Sequence, residues 1–385
     1  MLIVLERKLD VVTGHFQSQI AAMDALSGGR EMQILSSLPG KITNRVRVLE
    51  DQRITRIFQP FYLRQEDSAG MLVKDIDALG DYFMTCAEGA SLLVPTATYY
   101  EFRLVLGALA KARAPGSISM RLLEERQFTL LDDHEQTTLR DHAKSGRVTV
   151  VTETSSLSDL MQARHDLPTQ PRFVLPCMIL PGQTLPKPVT RTGLRVGFMG
   201  NARREKGWHD LYKIIGALAM GLGETKLPGP VEFLVPRRSN SRFRPSNLFR
   251  GARVMFEARK GRNKDRPNIR VIRTAHFVPD DEFVDLIQSL DVVIIPYRVK
   301  NYANRGSGII LDAVLAKKPI IHTDGIGMAE YLCFGNGAPA TTPDEFAEQI
   351  IKVLQNPESY KAGCEKAHAF ALTKFEETAS YLKDL

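Results

Sequence analysis

The chain has 385 residues, with 51 Lys and Arg against 44 Asp and Glu, a formal net charge of +7. Apolar residues at 43% and charged residues at 25% are ordinary for a globular protein and exclude wholesale disorder. At roughly 100–200 residues per domain, the length points to two domains.

No apolar run approaches the roughly 20 residues that span a bilayer. The start, MLIVLERKLD, has no basic stretch before its apolar residues and no cleavage site, so no signal peptide is expected. Cys86, Cys177, Cys333 and Cys364 are scattered, without metal-ligand spacing or a disulfide framework. That usage points to a reducing, cytoplasmic compartment.

Short apolar runs alternate with amphipathic stretches almost from end to end, the pattern of parallel sheets covered by helices. Strands are expected at residues 2–5, 92–94, 118–122, 148–151 and 173–175. Helices are expected between them at 16–26, 71–79, 98–112, 133–144 and 157–163. Residues 31–65 mix basic and β-branched types and take only a loose assignment. Residues 176–188 carry four prolines, which fit neither helix interiors nor central strands, so this stretch reads as an extended linker. A second alternation follows, with strands at 194–199, 231–235, 269–272, 292–295 and 319–322. Its helices are expected at 208–219, 280–289, 309–316, 343–354 and 358–382. The fold class is therefore α/β, with two Rossmann-like halves of similar size. Ligands in such folds bind outside the carboxyl ends of the strands.

Three loops between a strand and a helix carry small residues or cations suited to a phosphate. Thr13-Gly14-His15 precedes the first helix. Residues 200–207 hold Arg203, Arg204 and Lys206 between a strand and a helix. Arg305-Gly306-Ser307-Gly308 opens a third helix, with Asp312 one turn inside it. None of them matches the Walker or dinucleotide pattern. His134, His142 and His165 lie in polar stretches and read as surface residues.

Four motifs of the second half stand in a telling order. They are Gly200 with Arg204-Glu205-Lys206-Gly207, Ser289-Leu290-Asp291 leading to Pro296, Gly308 to Asp312 leading to Pro319, and Gly325 to Glu330. In this order they resemble the GT-B glycosyltransferases, most of all the retaining group called family 4 or group 1. The resemblance covers residues 194–354 by motif, while the first half agrees in its α/β rhythm, early glycine loop and hinge.

The resemblance implies an acceptor-side domain over 1–188, a donor-binding domain over 189–356, and a final helix, 357–385, returning to the first domain across a cleft between facing sheets. It implies transfer of a sugar, with retained configuration, from a nucleotide diphosphate-sugar to an acceptor hydroxyl. Lys206 matches the lysine of the family's Arg-x4-Lys pair at the diphosphate. Asn201 stands at the arginine position, which leaves that role to Arg203 or Arg204. The family's Glu-x7-Glu pair falls on Asn304, toward the donor sugar, and Asp312, toward the ribose. Gly306, Ser307 and Gly308 match the amides at the diphosphate, and His276, Phe277 and Val278 the nucleobase side. In the first half, Gly14 is a diphosphate candidate and His15 a catalytic one, alongside Lys206 and Asn304. With no His/Asp cluster of useful spacing, no essential metal or other cofactor is expected.

Residues 237–273 hold 13 Lys or Arg and two acids, a net +11 that leaves the rest of the chain at −4. Such a segment suits an anionic membrane surface at the inner face of the plasma membrane, or a lipid-linked acceptor. Nucleic acid fits least, since no recognised module accompanies it. The leading expectation is a glycosyltransferase of polysaccharide or glycolipid assembly. A non-catalytic sugar-nucleotide binder, or another GT-B enzyme such as an epimerase, is the alternative.

Overall fold

A computed structural model describes residues 1–9, 16–37, 54–59, 69–86, 89–112, 116–171, 173–186, 191, 193–200, 202–223, 225, 227–236, 269–275, 278 and 280–385. The chain divides into two compact units, Met1–Cys177 with Thr373–Leu385, and Met178–Leu372.

The first unit is built on a seven-stranded parallel sheet in the order β3-β2-β1-β4-β5-β6-β7. Its strands are β1 (Leu2–Leu5), β2 (Met32–Ser37), β3 (Ile54–Gln59), β4 (Ser91–Ala97), β5 (Ser117–Leu122), β6 (Thr149–Thr152) and β7 (Thr169–Gln170). β1 is a run of four apolar residues, all buried. Strands covered on both faces read this way, as unbroken apolar runs rather than alternations. The helix Tyr99–Lys111 begins at Thr98 with a capping box to Glu101 and buries Phe102, Val105 and Leu109.

Here the loosely assigned stretch takes form, and one expected strand fails. Residues 31–65 contain β2 and β3, paired in register from Met32↔Ile54 to Ser37↔Gln59. Polar and basic residues within both strands masked their apolar periodicity. Residues 173–175 are not a strand. Instead the Val174 amide donates to Thr378 Oγ1 at 3.1 Å, and that hydroxyl faces the Val174 carbonyl at the same distance. The Val174 amide and carbonyl are thus met by the final helix, while the Phe173 amide donates to the Thr152 carbonyl at 3.4 Å.

The second unit repeats the winding. Its six parallel strands run β10-β9-β8-β11-β12-β13. They are β8 (Leu194–Gly197), β9 (Val231–Pro236), β10 (Ile269–Thr274), β11 (Val292–Ile295), β12 (Ile320–Thr323) and β13 (Gly337–Ala340). In each sheet the first strand stands between the second and the fourth, so the chain winds away from it in both directions. The switch points lie between β1 and β4 and between β8 and β11, and such points open a crevice at the carboxyl ends of the strands.

The last helix, Glu358–Asp384, starts in the second unit and ends in the first. Its end binds the amino-terminal side of the first sheet. Tyr381 Oη lies 2.5 Å from Ser119 Oγ, Arg30 Nη1 donates to the Leu382 carbonyl at 2.8 Å, and Ser91 Oγ bonds the Leu385 carbonyl. This leaves the carboxyl-terminal edge of that sheet to its loops.

A buried polar cluster occupies that edge. Arg7 Nη2 and Nε reach Glu101 Oε1 at 2.5 and 2.8 Å, and Arg7 lies 4.1 Å over the Tyr100 ring. Glu101 Oε2 accepts from the Thr98 amide at 3.0 Å and from its hydroxyl. Burial works to raise the Glu101 carboxyl, but Arg7 and the Thr98 bonds outweigh it and hold the group below its ordinary value. At Glu6 burial outweighs the Lys8 amide and the nearby Lys8 and Arg7 charges and pushes the carboxyl up to about 7.

The two carboxyls therefore act oppositely on stability. Native Glu6 holds a proton that the unfolded chain releases, so its contribution declines as pH rises from about 4.5 to about 7. Glu101 contributes above the ordinary carboxylate range, and that contribution is lost as pH falls through its lowered value. Thermal melts of the wild type and E6Q over this range test the first sign. The E6Q-minus-wild-type difference in Tm should grow as pH rises, and a constant difference would contradict it.

Candidate active site

The second switch point gathers three loops. After β8 the chain turns through a short helix, Arg204–Lys206, into Gly207 at φ +74°. A β-carbon on Gly207 would lie 1.8 Å from the Pro296 carbonyl oxygen, just past β11. The Arg298 amide donates to the Glu205 carbonyl at 2.9 Å and holds the two loops together. The loop after β12 completes the group: the Gly327 amide donates to the Tyr302 carbonyl at 2.6 Å.

Tyr297 sits where these loops meet and is 1% exposed. Lys206 Nζ lies 5.1 Å from its ring centroid. Its hydroxyl is 3.4 Å from Ser307 Oγ, and it stands close to Gly200. The Tyr302 ring packs against it, with centroids 4.4 Å apart, and Arg305 lies 5.1 Å over Tyr302. Burial raises the Tyr302 phenol, against the pull of Lys206, Arg305 and Arg203. Two cations, Lys206 and Arg305, thus converge on one pair of aromatic rings, whose faces attract them.

The buried helix Gly308–Leu315 begins beside this group with Ser307 as its N-cap. The helix start favours anions through its unpaired N–H groups and its dipole. The Ser307 amide itself donates to Met328 Sδ. Met328 is fully buried and takes a left-handed backbone, φ +66°, which a side chain rarely adopts.

The expected residues fall out as follows. Lys206, Gly306, Ser307 and Gly308 come together, Lys206 buried and Ser307 at the cap. Arg203 and Arg204 are exposed, and Arg203 pairs with Glu205 at 3.3 Å. Asn304 is half-buried in the turn before the helix.

Asp312 stands on the helix that Ser307 caps. It is fully buried, and its Oδ1 accepts from the Met178 and Ile179 amides at 2.9 and 3.1 Å. The carboxylate holds the chain entering this unit through Oδ1. Val278 is half-buried before the helix Asp280–Gln288. Gly14, His15, Asn201, His276, Phe277 and residues 237–268 lie outside the described residues. His134 is exposed, whereas His165 is half-buried, with Nε2 2.9 Å from Glu125 Oε1. Among the described residues, no group of three or more His, Cys, Asp or Glu could hold a metal ion.

Sequence reasoning missed Tyr297 and Tyr302, and quoted Arg305 and Met328 without giving them a role. The available signal was two tyrosines five residues apart, directly after the apolar strand Val292–Ile295.

Solved structures match the chain along its whole length. A glycosyltransferase from Rickettsia africae matches at TM-score 0.65 and 11% identity, covering 100% of this chain and 96% of that one. Anabaena HepE, solved in complex with UDP and glucose, matches at 0.61 and 14%, covering 100% and 97%. WaaG, a glycosyltransferase involved in lipopolysaccharide biosynthesis, matches at 0.59 and 13%, covering 100% and 99%.

The fold is GT-B.

No protein-family model matches the sequence, and no curated protein matches it. In GT-B terms, the three converging loops belong to the second Rossmann-like unit. Gly207 is the hinge pin of their arrangement. G207A should lower stability by about 2–4 kcal/mol, from left-handed strain plus the clash with Pro296. Gly182 supplies the control, since it has φ +77° with nothing within 4 Å of a placed β-carbon. G182A should cost about 1 kcal/mol. Urea unfolding of both variants checks this, and equal losses would contradict the account.

Proposed function

We propose that the chain is a glycosyltransferase that moves a sugar from a nucleotide diphosphate-sugar to an acceptor hydroxyl. The observation that carries this reading is the convergence of Lys206 and Arg305 on the Tyr297–Tyr302 pair beside the helix start at Ser307. A diphosphate needs opposite charge and N–H donors, and this corner of the fold offers both. HepE, with the same fold, has been solved with UDP-glucose, which supports a UDP-sugar as the first donor to try.

In the transfer, the bond from the anomeric carbon to the diphosphate oxygen breaks, a bond to the acceptor oxygen forms, and the proton of the acceptor hydroxyl passes to the departing diphosphate. The electron pair of the broken bond stays on the leaving diphosphate. Cations fixed beforehand stabilise that charge as it develops, without the cost of reorganising water. Lys206 is well placed for this because Tyr297 holds its ammonium and burial limits its motion. Arg305 takes the second place that Asn201 leaves vacant in the sequence motif, ahead of the exposed Arg203 and Arg204. Asn304 is kept as a hydrogen-bonding residue toward the donor sugar, and the reaction as independent of a metal ion. Retention of configuration and a role in polysaccharide or glycolipid assembly rest on the resemblance.

Calorimetric titration with UDP, GDP and ADP, beside the matching nucleosides, tests the donor site. One diphosphate should bind, and K206A and R305Q should each weaken it about tenfold or more while leaving the nucleoside little changed. Failure of every nucleotide to bind the wild type would sink the reading. Unchanged affinity in both variants would sink the residue assignment.

The basic stretch 237–273 supports peripheral contact with an anionic membrane. No helix among the described residues is long and apolar enough to cross one. Cosedimentation with phosphatidylglycerol vesicles should be strong at low salt and fade at high salt. Equal recovery with neutral phosphatidylcholine vesicles would contradict this.

A further inference from the structure

Three neighbouring strands of the second sheet, β8, β11 and β12, gather a further group of charges at their amino-terminal entrances. Arg191 stands three residues before β8, Asp291 directly before β11 and Lys318 two residues before β12. This is the end of the sheet away from the loops that hold Tyr297 and Ser307. Asp291 draws the group in, since its Oδ2 accepts from Arg191 Nη2 and from the Arg195 amide, both at 2.6 Å. The Val293 amide donates to the Pro319 carbonyl at 2.9 Å and sets Lys318 beside the start of β11. All of these residues belong to the second unit.

Two cations here share one carboxylate. Arg191 Nη1 is buried without a hydrogen-bond partner. Buried polar atoms in native proteins are nearly always paired, so this N–H group calls for an explanation. Lys318 is half-buried, and its Nζ donates to the Gln288 carbonyl at 2.7 Å. Its neighbour Lys317 is by contrast exposed and paired with Glu365 at 2.6 Å. Burial brings the Lys318 ammonium down to about 8, with Asp291 opposing that shift and Arg191 adding to it. An appreciable share of Lys318 is thus an uncharged, nucleophilic amine near neutral pH.

We propose that Lys318 is a modification site for carbon dioxide, carbamylated at Nζ, with Arg191 Nη1 donating to the carbamate oxygen. The Nζ lone pair attacks the carbon of carbon dioxide, one carbon–oxygen π bond opens onto oxygen, and an Nζ proton passes to the solvent. The product keeps one N–H, enough to maintain the bond to the Gln288 carbonyl. Its new carboxylate supplies the acceptor that Arg191 Nη1 lacks. The chemistry of this corner selects the reagent. A preformed anion such as phosphate would have to shed its water and approach Asp291 before it reached the guanidinium. Carbon dioxide is small and uncharged on entry, and it acquires charge only at the amine. A metal ion would meet two cations and a single carboxylate, and no group of metal ligands exists among the described residues. The proposal stands apart from the transferase reading and does not depend on it.

The test uses the whole chain equilibrated with isotope-labelled bicarbonate and carbon dioxide. Trapping with a trialkyloxonium salt, followed by peptide mass spectrometry, locates any carbamate. Lys318 should carry it at roughly tenfold or more the level of exposed lysines such as Lys111 and Lys352, because its share of uncharged amine is larger. K318R keeps a cation but cannot form the adduct, so the carbamate carbon signal in NMR should lose its main component. R191Q removes the charged donor and should lower occupancy of Lys318 about tenfold. R191K keeps the charge without the fork and should fall between the two. Circular dichroism melts establish that each variant is folded, and R191K carries the comparison if R191Q is not. No adduct on Lys318 at saturating carbon dioxide would overturn the proposal, as would labelling no greater than that of the exposed lysines. Equal occupancy in the wild type and the folded Arg191 variants would overturn the role of Arg191.

Discussion

At Gly207 the backbone passes so close to Pro296 that a β-carbon would lie 1.8 Å from its carbonyl oxygen. That approach fixes the second unit's functional edge. Because only glycine fits at φ +74° against that carbonyl, the loop after β8 can close onto the end of β11. Closure brings Lys206 over Tyr297, and Tyr297 carries the contact on to Ser307 and Tyr302. Rings thus hold Lys206 and Arg305 at this corner, where their charge favours a diphosphate.

Asp312 joins a motif position to a structural role. Its place eight residues after Asn304 fits the resemblance, and its Oδ1 accepts two backbone amides of the chain entering the second unit. A buried carboxylate that accepts N–H donors is a sound structural element. It ties the helix that caps the site to residues 178–179 and so fixes where that helix starts.

Much of the fold was legible in the sequence because its strands are covered on both faces. Residues 2–5 and 292–295 are unbroken apolar runs and emerge as β1 and β11. β2 and β3 were not legible, because Gln33, Ser36 and Arg56 interrupt their patterns, and Arg56 Nε bonds Ser36 Oγ at 2.6 Å. The candidate site was legible through its glycines and cations, which lie together in sequence. Tyr297 and Tyr302 were not, because an aromatic residue after a strand carries no sign that a lysine will sit on its ring.

Amide hydrogen exchange on the full chain, with and without a saturating nucleoside diphosphate, tests the central claim most directly. The account predicts that added protection concentrates in residues 202–208 and 296–310, the two sides of the second switch point. Protection confined to the first unit, or none in these two stretches while the nucleotide is bound, would contradict it.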